Sequence, residues 1–366
     1  MVTIRHAARY VAPLRAALVF AGAAGSALNA QRPVRVCAGG DVAMGTNLDT
    51  RWAAGRTVDG APVRAIPDPL ALVTPLVPLF ADAGLVLLNV EGAIGSGPAP
   101  RKCARNSSLC YAIRQPPGTE TALRAVAPQA QVVGNLANNH ARDAGSAGFT
   151  ETLRRLTAAG VIVTGADTLA TPVVIAEGDT IGVLGFSPYN PPSVLDLPAV
   201  RRYVGAAAAR YHRVIVTMHI GAEGAAARHT PNRAERFAGE ARGNSVAFAR
   251  AASEAGTSLV IGHGPHVVRG VEWVGRTLVA HSLGNLLTYG PFNLKQFNGR
   301  AFVLCATLEA DGSVSDAVAR PTRQLPPGIA GPDPDSLALG DINELSLKDF
   351  PRTGARVGAG GVLRRP

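Results

Sequence analysis

The sequence predicts an α/β protein built on a largely parallel sheet covered by helices on both faces. Two observations carry that prediction. Short apolar runs of strand length alternate with segments of helical periodicity. Six of those runs also end in metal-ligand residue types, which puts oxygen and imidazole groups on one rim of the sheet. In open α/β sheets that rim is where ligands bind.

The elements follow in order. Val34 to Cys37 is a strand running into Gly39-Gly40-Asp41. Pro69 to Ala83 reads as a helix that Pro75 and Pro78 must limit or kink. Leu85 to Leu88 is a strand ending in Asn89-Val90-Glu91, and Val132-Val133 precedes Asn138-Asn139-His140 and Asp143. A helix over Ala144 to Ala159 carries Leu153 and Leu156 on one face and stops at Gly160. Val161 to Val163, Val173 to Ile175 and Ile181 to Phe186 are further strands. Val214 to Met218 runs into His219 and Glu223. A second long helix is expected over Arg233 to Ala255, closed by Gly256. Leu259 to Ile261 leads into Gly262-His263-Gly264-Pro265-His266, and Leu278 to Ala280 into His281-Ser282-Leu283-Gly284-Asn285. Ala301 to Leu308 is the last strand, followed by the turn Asp311-Gly312-Ser313. Pro321 to Pro334 reads as a wrap or loop and the Gly-rich end as loose, so the expected organisation is one domain over 31–320 with a Pro/Gly-rich extension over 321–366.

Composition narrows the function. The 366 residues are 47% hydrophobic and 17% charged, enough for an ample core. Aromatics are only 5%, so base-stacking platforms are scarce, and the +10 formal charge is dispersed with no basic run. Nucleic-acid binding is therefore not expected, although a basic surface attracts anionic polymers or headgroups. Residues 1–30 read as an export signal: Arg5, Arg9 and Arg15 precede the apolar stretch Ala16 to Ala24, and Ala27 to Ala30 offers a cleavage site. An uncleaved anchor is the alternative. Export to the periplasm or beyond permits disulfides; Cys103 and Cys110 are expected to close a small loop, whereas Cys37 and Cys305 read as buried thiols.

Asp41, Asn89, Glu91, Asn139, His140, His219, Glu223, His263 and His266 form a mixed carboxylate, amide and imidazole set. That set suits Mn, Fe, Zn, Mg or Ca. Taken singly, each residue has a plain structural role: Asp41 as a cap, Asn138 or Asn139 as a loop hydrogen bonder, Glu91 as the partner of an arginine. His281 fits a tight rim turn equally well. Arg114-Gln115-Pro116-Pro117 is an anion clamp or an ordinary proline turn.

At these residues the chain resembles the capsule-synthesis CapA family, named for poly-γ-glutamate biosynthesis. The matching motifs are Gly39 to Gly45, Asn89-Val90-Glu91, Ala137 to Gly145, His219 to Glu223, Gly262 to Val268 and Ser282 to Asn285. The resemblance implies a calcineurin-like metallophosphatase fold, a layered β-sheet core flanked by helices. It implies one or two divalent ions per chain, held by Asp41, Glu91, Asn139, His219, His263 and His266, with water as nucleophile. His140 would serve as general acid or charge stabiliser, oriented by Asp143, and Glu223 as base or outer support. Asn89, Arg114, His281 and Asn285 would meet the substrate, an anionic polymer such as polyglutamate or a phosphoester. Membrane-bound capsule-synthesis machinery is the implied partner. The chain departs from the pattern at Ile220, Gly264 and His281, where the family has Trp, His and Tyr. Metallophosphatases usually open with Asp-x-His, but Ala43 stands at that histidine position, and Glu91 replaces a bridging Asp. Those departures imply one firm ion site and a weaker or missing second. They also keep open a non-hydrolytic accessory that grips polymer.

Overall fold

A computed structural model describes residues 32–45, 57–58, 61–62, 68–96, 102–103 and 110–366. The expected export signal, residues 1–30, lies outside them. Among the described residues no helix is long and apolar enough to cross a membrane.

Two sheets form the centre. The strands are β1 Val34–Met44, β2 Leu85–Val90, β3 Gln131–Asn135, β4 Ile162–Thr164, β5 Thr171–Ala176, β6 Asp179–Phe186 and β7 Arg213–His219. They continue as β8 Leu259–His263, β9 Val271–Val274, β10 Thr277–Ala280, β11 Asn285–Tyr289, β12 Arg300–Leu308, β13 Val314–Leu325 and β14 Ile329–Pro332. The eight-stranded sheet has the order β14-β13-β12-β1-β2-β3-β4, with β11 also on β1; the six-stranded sheet runs β9-β10-β8-β7-β6-β5. Parallel pairing holds from β1 to β4 and from β6 through β7 and β8 to β10, while β12 to β14, β5 and β9 are antiparallel additions. The expectation of one largely parallel sheet is thus corrected to two mixed sheets.

Strand alternation explains the layering. Val36, Ala38, Leu85 and Leu87 of the first sheet share a buried cluster with Ile181, Val183, Ile215 and Ile261 of the second. The intervening residues face outward. Cys37, Val86, Leu88 and Val132 pack with Phe80, Leu123, Phe149 and Leu156, while Val214, Val216 and Val260 pack with Val200, Val204 and Phe248. The helices that cover the first sheet are α1 Pro69–Val73, α2 Thr119–Ala125 and α3 Gly145–Ala158; α4 Leu197–Ala208 and α5 Ser245–Glu254 cover the second. The result is helix, sheet, sheet, helix, the layered core flanked by helices that was expected.

Local chemistry sets the element ends. Asp68 accepts from Leu70 N at 2.9 Å to start α1, and the chain tightens to a 3₁₀ turn over Thr74–Phe80, where Pro75 and Pro78 interrupt regular bonding. The helix expected over Arg233 to Ala255 is shorter at its front. Glu235–Phe237 and Glu240–Gly243 form a hairpin instead, with Gly239 and Gly243 at φ 84° and 80°. Asn244 then caps α5 by accepting from Ala247 N at 3.0 Å.

The C-terminal segment is also more ordered than its composition suggests. β13 runs through residue 320, β14 extends the sheet, and α6 Leu337–Asp349 follows. Cys37 and Cys305 are corrected from buried thiols to a disulfide, because β1 and β12 set them directly opposite each other, 4.0 Å apart at Cα. Cys103 and Cys110 pair as expected.

Candidate metal centre

Register brings the rim residues together. Asp41 lies beside Asn89 on one side and Asn285 on the other, Asn89 lies beside Asn135, and His219 lies beside His263. The approach of β1 and β11 is close: a Cβ on Gly40 would lie 1.8 Å from the Gly284 carbonyl oxygen, which is why glycine precedes Asp41. His266 is held at φ 58°, a left-handed conformation that non-glycine residues adopt only when their surroundings enforce it.

Asp41, Glu91 and His266 present ligand atoms within 4.8 Å of one another. His266 Nδ1 is 3.0 Å from Asp41 Oδ2, and His266 Nε2 is 3.6 Å from Glu91 Oε1. His263 Nδ1 lies 3.3 Å from Asp41 Oδ1, and His219 Nε2 lies 3.9 Å from Glu91 Oε1. Asn89 Nδ2 donates to Asp41 Oδ1 at 2.8 Å, so Asn89 positions the carboxylate rather than meeting substrate. Asn285 Oδ1 is 2.9 Å from His266 Nδ1 and lines the cavity.

Burial shapes the charges. Burial opposes ionisation of Asp41, but the adjacent His263 and His266 rings outweigh it and hold the carboxyl well below its ordinary range. Burial and then the Asp41 charge push Glu91 well up. Burial lowers His219 well below an ordinary imidazole. Burial also disfavours the charged form of His266, yet the Glu91 and Asp41 carboxyls outweigh it and raise the ring well above its ordinary value.

The donor set fits a divalent ion on independent grounds. Glu91 Oε1, Asn139 Oδ1 and both ring nitrogens of His219 and His263 are buried without a hydrogen-bond partner in the protein. Buried polar atoms are normally satisfied, and an ion among two carboxylates and three imidazoles would take Glu91 Oε1 and one nitrogen of each ring.

A cavity of about 330 Å³ opens above this cluster, lined by Glu91, His140, Glu223, His266 and the aromatic rings of Tyr111 and Phe292. His140 Nδ1 is 2.6 Å from Asp143 Oδ2, and burial lowers the ring below its ordinary value despite Asp143. Asp143 is itself fixed by Ile113 N at 2.8 Å and Lys102 Nζ at 2.8 Å. Glu223 Oε1 is held 2.6 Å from Arg242 Nη1, while Arg269 bonds Ala222 O and both oxygens of Glu235, anchoring the same loop. Ala43 lines the cavity two residues beyond Asp41, where Asp-x-His would supply an imidazole.

Two expected substrate residues stand elsewhere. Arg114 is buried on a short strand, with its guanidinium 3.9 Å from Glu151. His281 is wholly buried between Ser245 Oγ at 2.5 Å and Glu272 Oε1 at 3.0 Å, and it stacks on Phe350. Sequence reasoning missed Lys102, Arg242 and Arg269; each acts through a partner distant in sequence, and no local pattern marks such a pair.

The fold and rim chemistry define a layered α/β protein with a candidate divalent-ion centre at the strand ends. The model of the bacterial capsule synthesis protein PGA_cap family matches residues 35–289. The chain belongs to that capsule-biosynthesis family. It is 29% identical over 170 residues to the PGA biosynthesis protein CapA of Bacillus subtilis (strain 168), an alignment covering 42% of this chain and 41% of that protein. The match thus spans about two-fifths of the length of the relative. Among solved structures, a hypothetical protein from Thermus thermophilus matches with TM-score 0.43 and 15% identity, over 78% of this chain and 98% of the other. The 5'-nucleotidase precursor from the same organism matches with TM-score 0.41 and 12% identity, over 87% and 59%.

Proposed function

We propose that this protein is an exported, metal-dependent hydrolase of capsule biosynthesis acting on an anionic polymer of polyglutamate type or on a phosphoester. The observation that carries the reading is the set of unsatisfied buried ligand atoms on Glu91, His219 and His263 beside Asp41 and His266. The two disulfides suit an oxidising compartment outside the cytoplasm.

Asp41, Glu91, His219, His263 and His266 would hold the ion, with Asn139 as a sixth ligand. A divalent ion supplies Lewis-acid activation of water and of the scissile linkage. The chain's residues do the rest. Asp143 fixes His140 by Nδ1, so the other ring nitrogen exchanges a proton with the reacting groups: the neutral ring accepts one from water and returns it to the leaving group. Arg242 holds Glu223 at the cavity wall, where it would orient water. Asn285 fixes the His266 ring. Ala43 in place of an imidazole supports a single firm ion.

The same substitution supports a second reading, a non-hydrolytic subunit that grips polymer carboxylates. Ion content and turnover separate the two. Loaded protein is offered an aryl phosphate and polyglutamate, beside Asp41→Asn and His140→Ala. Turnover lost in both variants, with ion content lost only in Asp41→Asn, supports the hydrolase. Polymer binding without turnover supports the accessory, and activity intact in both variants removes the site assignment.

A further inference from the structure

We propose that Lys102 is a positioning residue for His140 and that the Cys103–Cys110 disulfide holds it in place. The proposal rests on the hydrolase reading of His140 for its kinetic consequence, but its structural half stands apart from that reading.

Two arms of chain meet at the edge of the cavity. On one arm Lys102 Nζ donates to Asp143 Oδ1 at 2.8 Å and to the Asn139 carbonyl at 3.2 Å, and it lies 3.4 Å from His140 Nδ1. On the other arm Tyr111 stacks on Phe292 at 5.5 Å, both rings lining the cavity, and Ile113 N donates to Asp143 Oδ2 at 2.8 Å. Cys103 follows Lys102 and Cys110 precedes Tyr111, so the disulfide joins the arms at the two residues flanking these contacts.

The geometry divides the work on Asp143. Oδ2 takes the His140 ring and the Ile113 amide, and Oδ1 takes Lys102. A carboxylate with one oxygen unpartnered rotates about its terminal bond, and the imidazole bound to the other oxygen turns with it. Lys102 stops that rotation. Its second bond, to the Asn139 carbonyl, ties the ammonium to the loop that also carries the candidate ligand Asn139 and His140. The Lys102 side chain is 37% exposed, however, and a long flexible side chain at the surface does not hold such a geometry by itself. The cross-link to Cys110 restricts its backbone and thereby makes the contact persistent.

Mutagenesis suits the test better than a thiol reductant, which would also attack Cys37–Cys305. Lys102→Met, Cys103→Ser/Cys110→Ser and the triple variant are compared on the loaded full chain with an aryl phosphate and polyglutamate. Lys102→Met is expected to lower kcat about 10- to 100-fold with KM within about twofold, the size of a lost outer positioning contact. The double serine variant is expected to lose a similar factor, and the triple variant no more than either, because one contact is removed twice. Factors that multiply, or full activity in Lys102→Met, overturn the proposal.

A second readout needs no turnover. In protein carrying ¹⁵N-histidine, the His140 Nδ1–H is expected to be slow to exchange in wild type and fast in Lys102→Met and in the double serine variant. An unchanged exchange rate in Lys102→Met, which keeps both disulfides, overturns the proposal even where the double variant folds poorly. Absence of turnover in the loaded wild type would remove the hydrolase reading, while the imidazole signal would still decide whether Lys102 fixes the ring.

Discussion

Adding a divalent ion should raise the thermal stability of the protein, and Asp41→Asn should abolish the increase. The protein atoms of the centre concentrate cost: two carboxyls and three imidazoles lie within contact distance, and Glu91, His219 and His263 have buried atoms without a hydrogen-bond partner in the protein. An ion that binds the native state alone stabilises it by about 2.7 kcal/mol when present at about a hundred times its Kd. For a folded unit running Gln31–Pro366, the unfolding entropy near the midpoint is ~0.7 kcal/mol/K, so that stabilisation corresponds to a rise of about 4 °C. Asn at position 41 keeps the shape and an oxygen to accept from Asn89, but it loses the charge that an ion and the two imidazoles need. Melting is followed by scanning fluorimetry or calorimetry with chelator, then with Mn, Zn or Mg added back, alongside elemental analysis. An equal rise in wild type and Asp41→Asn would show that ions bind elsewhere. No rise and no bound ion in the reconstituted wild type would refute the assignment of this rim as a metal centre.

Three further outcomes test the surrounding structure. Glu272 sits under His281, Arg250 and Thr353; burial opposes its ionisation, yet these partners bring its carboxyl down from 4.5 to about 2. Its folded value is depressed, so its contribution is complete above about pH 4.5 and is lost as pH falls towards 2, an effect of about 3 kcal/mol; in acid-denaturation curves Glu272→Gln should flatten that window and lower stability at neutral pH. Removing Cys37–Cys305, which spans 268 residues, with two Ala substitutions should cost about 2–5 kcal/mol in chemical denaturation. Arg269→Met, which strands the buried Glu235 carboxylate, should cost about 3–5 kcal/mol, and adding Glu235→Leu should recover most of it; a double variant no better than the single would show that the loss comes from Ala222 instead.

The rim residues were legible because each signal is local. A strand of apolar residues announces itself, and the residues just past its end lie at the sheet edge, so Asp41, Glu91, His219, His263 and His266 were found without knowledge of which strands are neighbours. Pairing was not legible in that way. Val36 and Cys37 are both apolar, and nothing local says that one faces a second sheet and the other a helix layer. The partner of Cys37 lies in β12, far along the chain, so only register identifies it. The hairpin over Glu235–Gly243 was hidden because its residues also fit a helical pattern, and the positive φ at Gly239 and Gly243 decides the matter.

His281 shows why ligand type is weaker evidence than ligand satisfaction. Its sequence context matched the other rim histidines, yet the fold closes its needs internally. Its Nε2 meets Glu272 Oε1 at 3.0 Å and its Nδ1 meets Ser245 Oγ at 2.5 Å, so both ring nitrogens have partners, and both oxygens of Glu272 are in turn held by Arg250. That is a complete structural network, and it asks for nothing from outside. His219 and His263 are equally buried, but neither ring nitrogen of either residue has a hydrogen-bond partner in the protein. Burying polar atoms without partners costs about 1–3 kcal/mol each, so the same chain satisfies one buried histidine fully and leaves two others open. The difference lies in what surrounds them. Glu272 is matched by a guanidinium, whereas the Asp41 and Glu91 carboxyls are bridged by the imidazole of His266, at 3.0 and 3.6 Å. Two carboxyls facing three imidazoles, two of which have no hydrogen-bond partner in the protein, are arranged for a cation with several coordination positions.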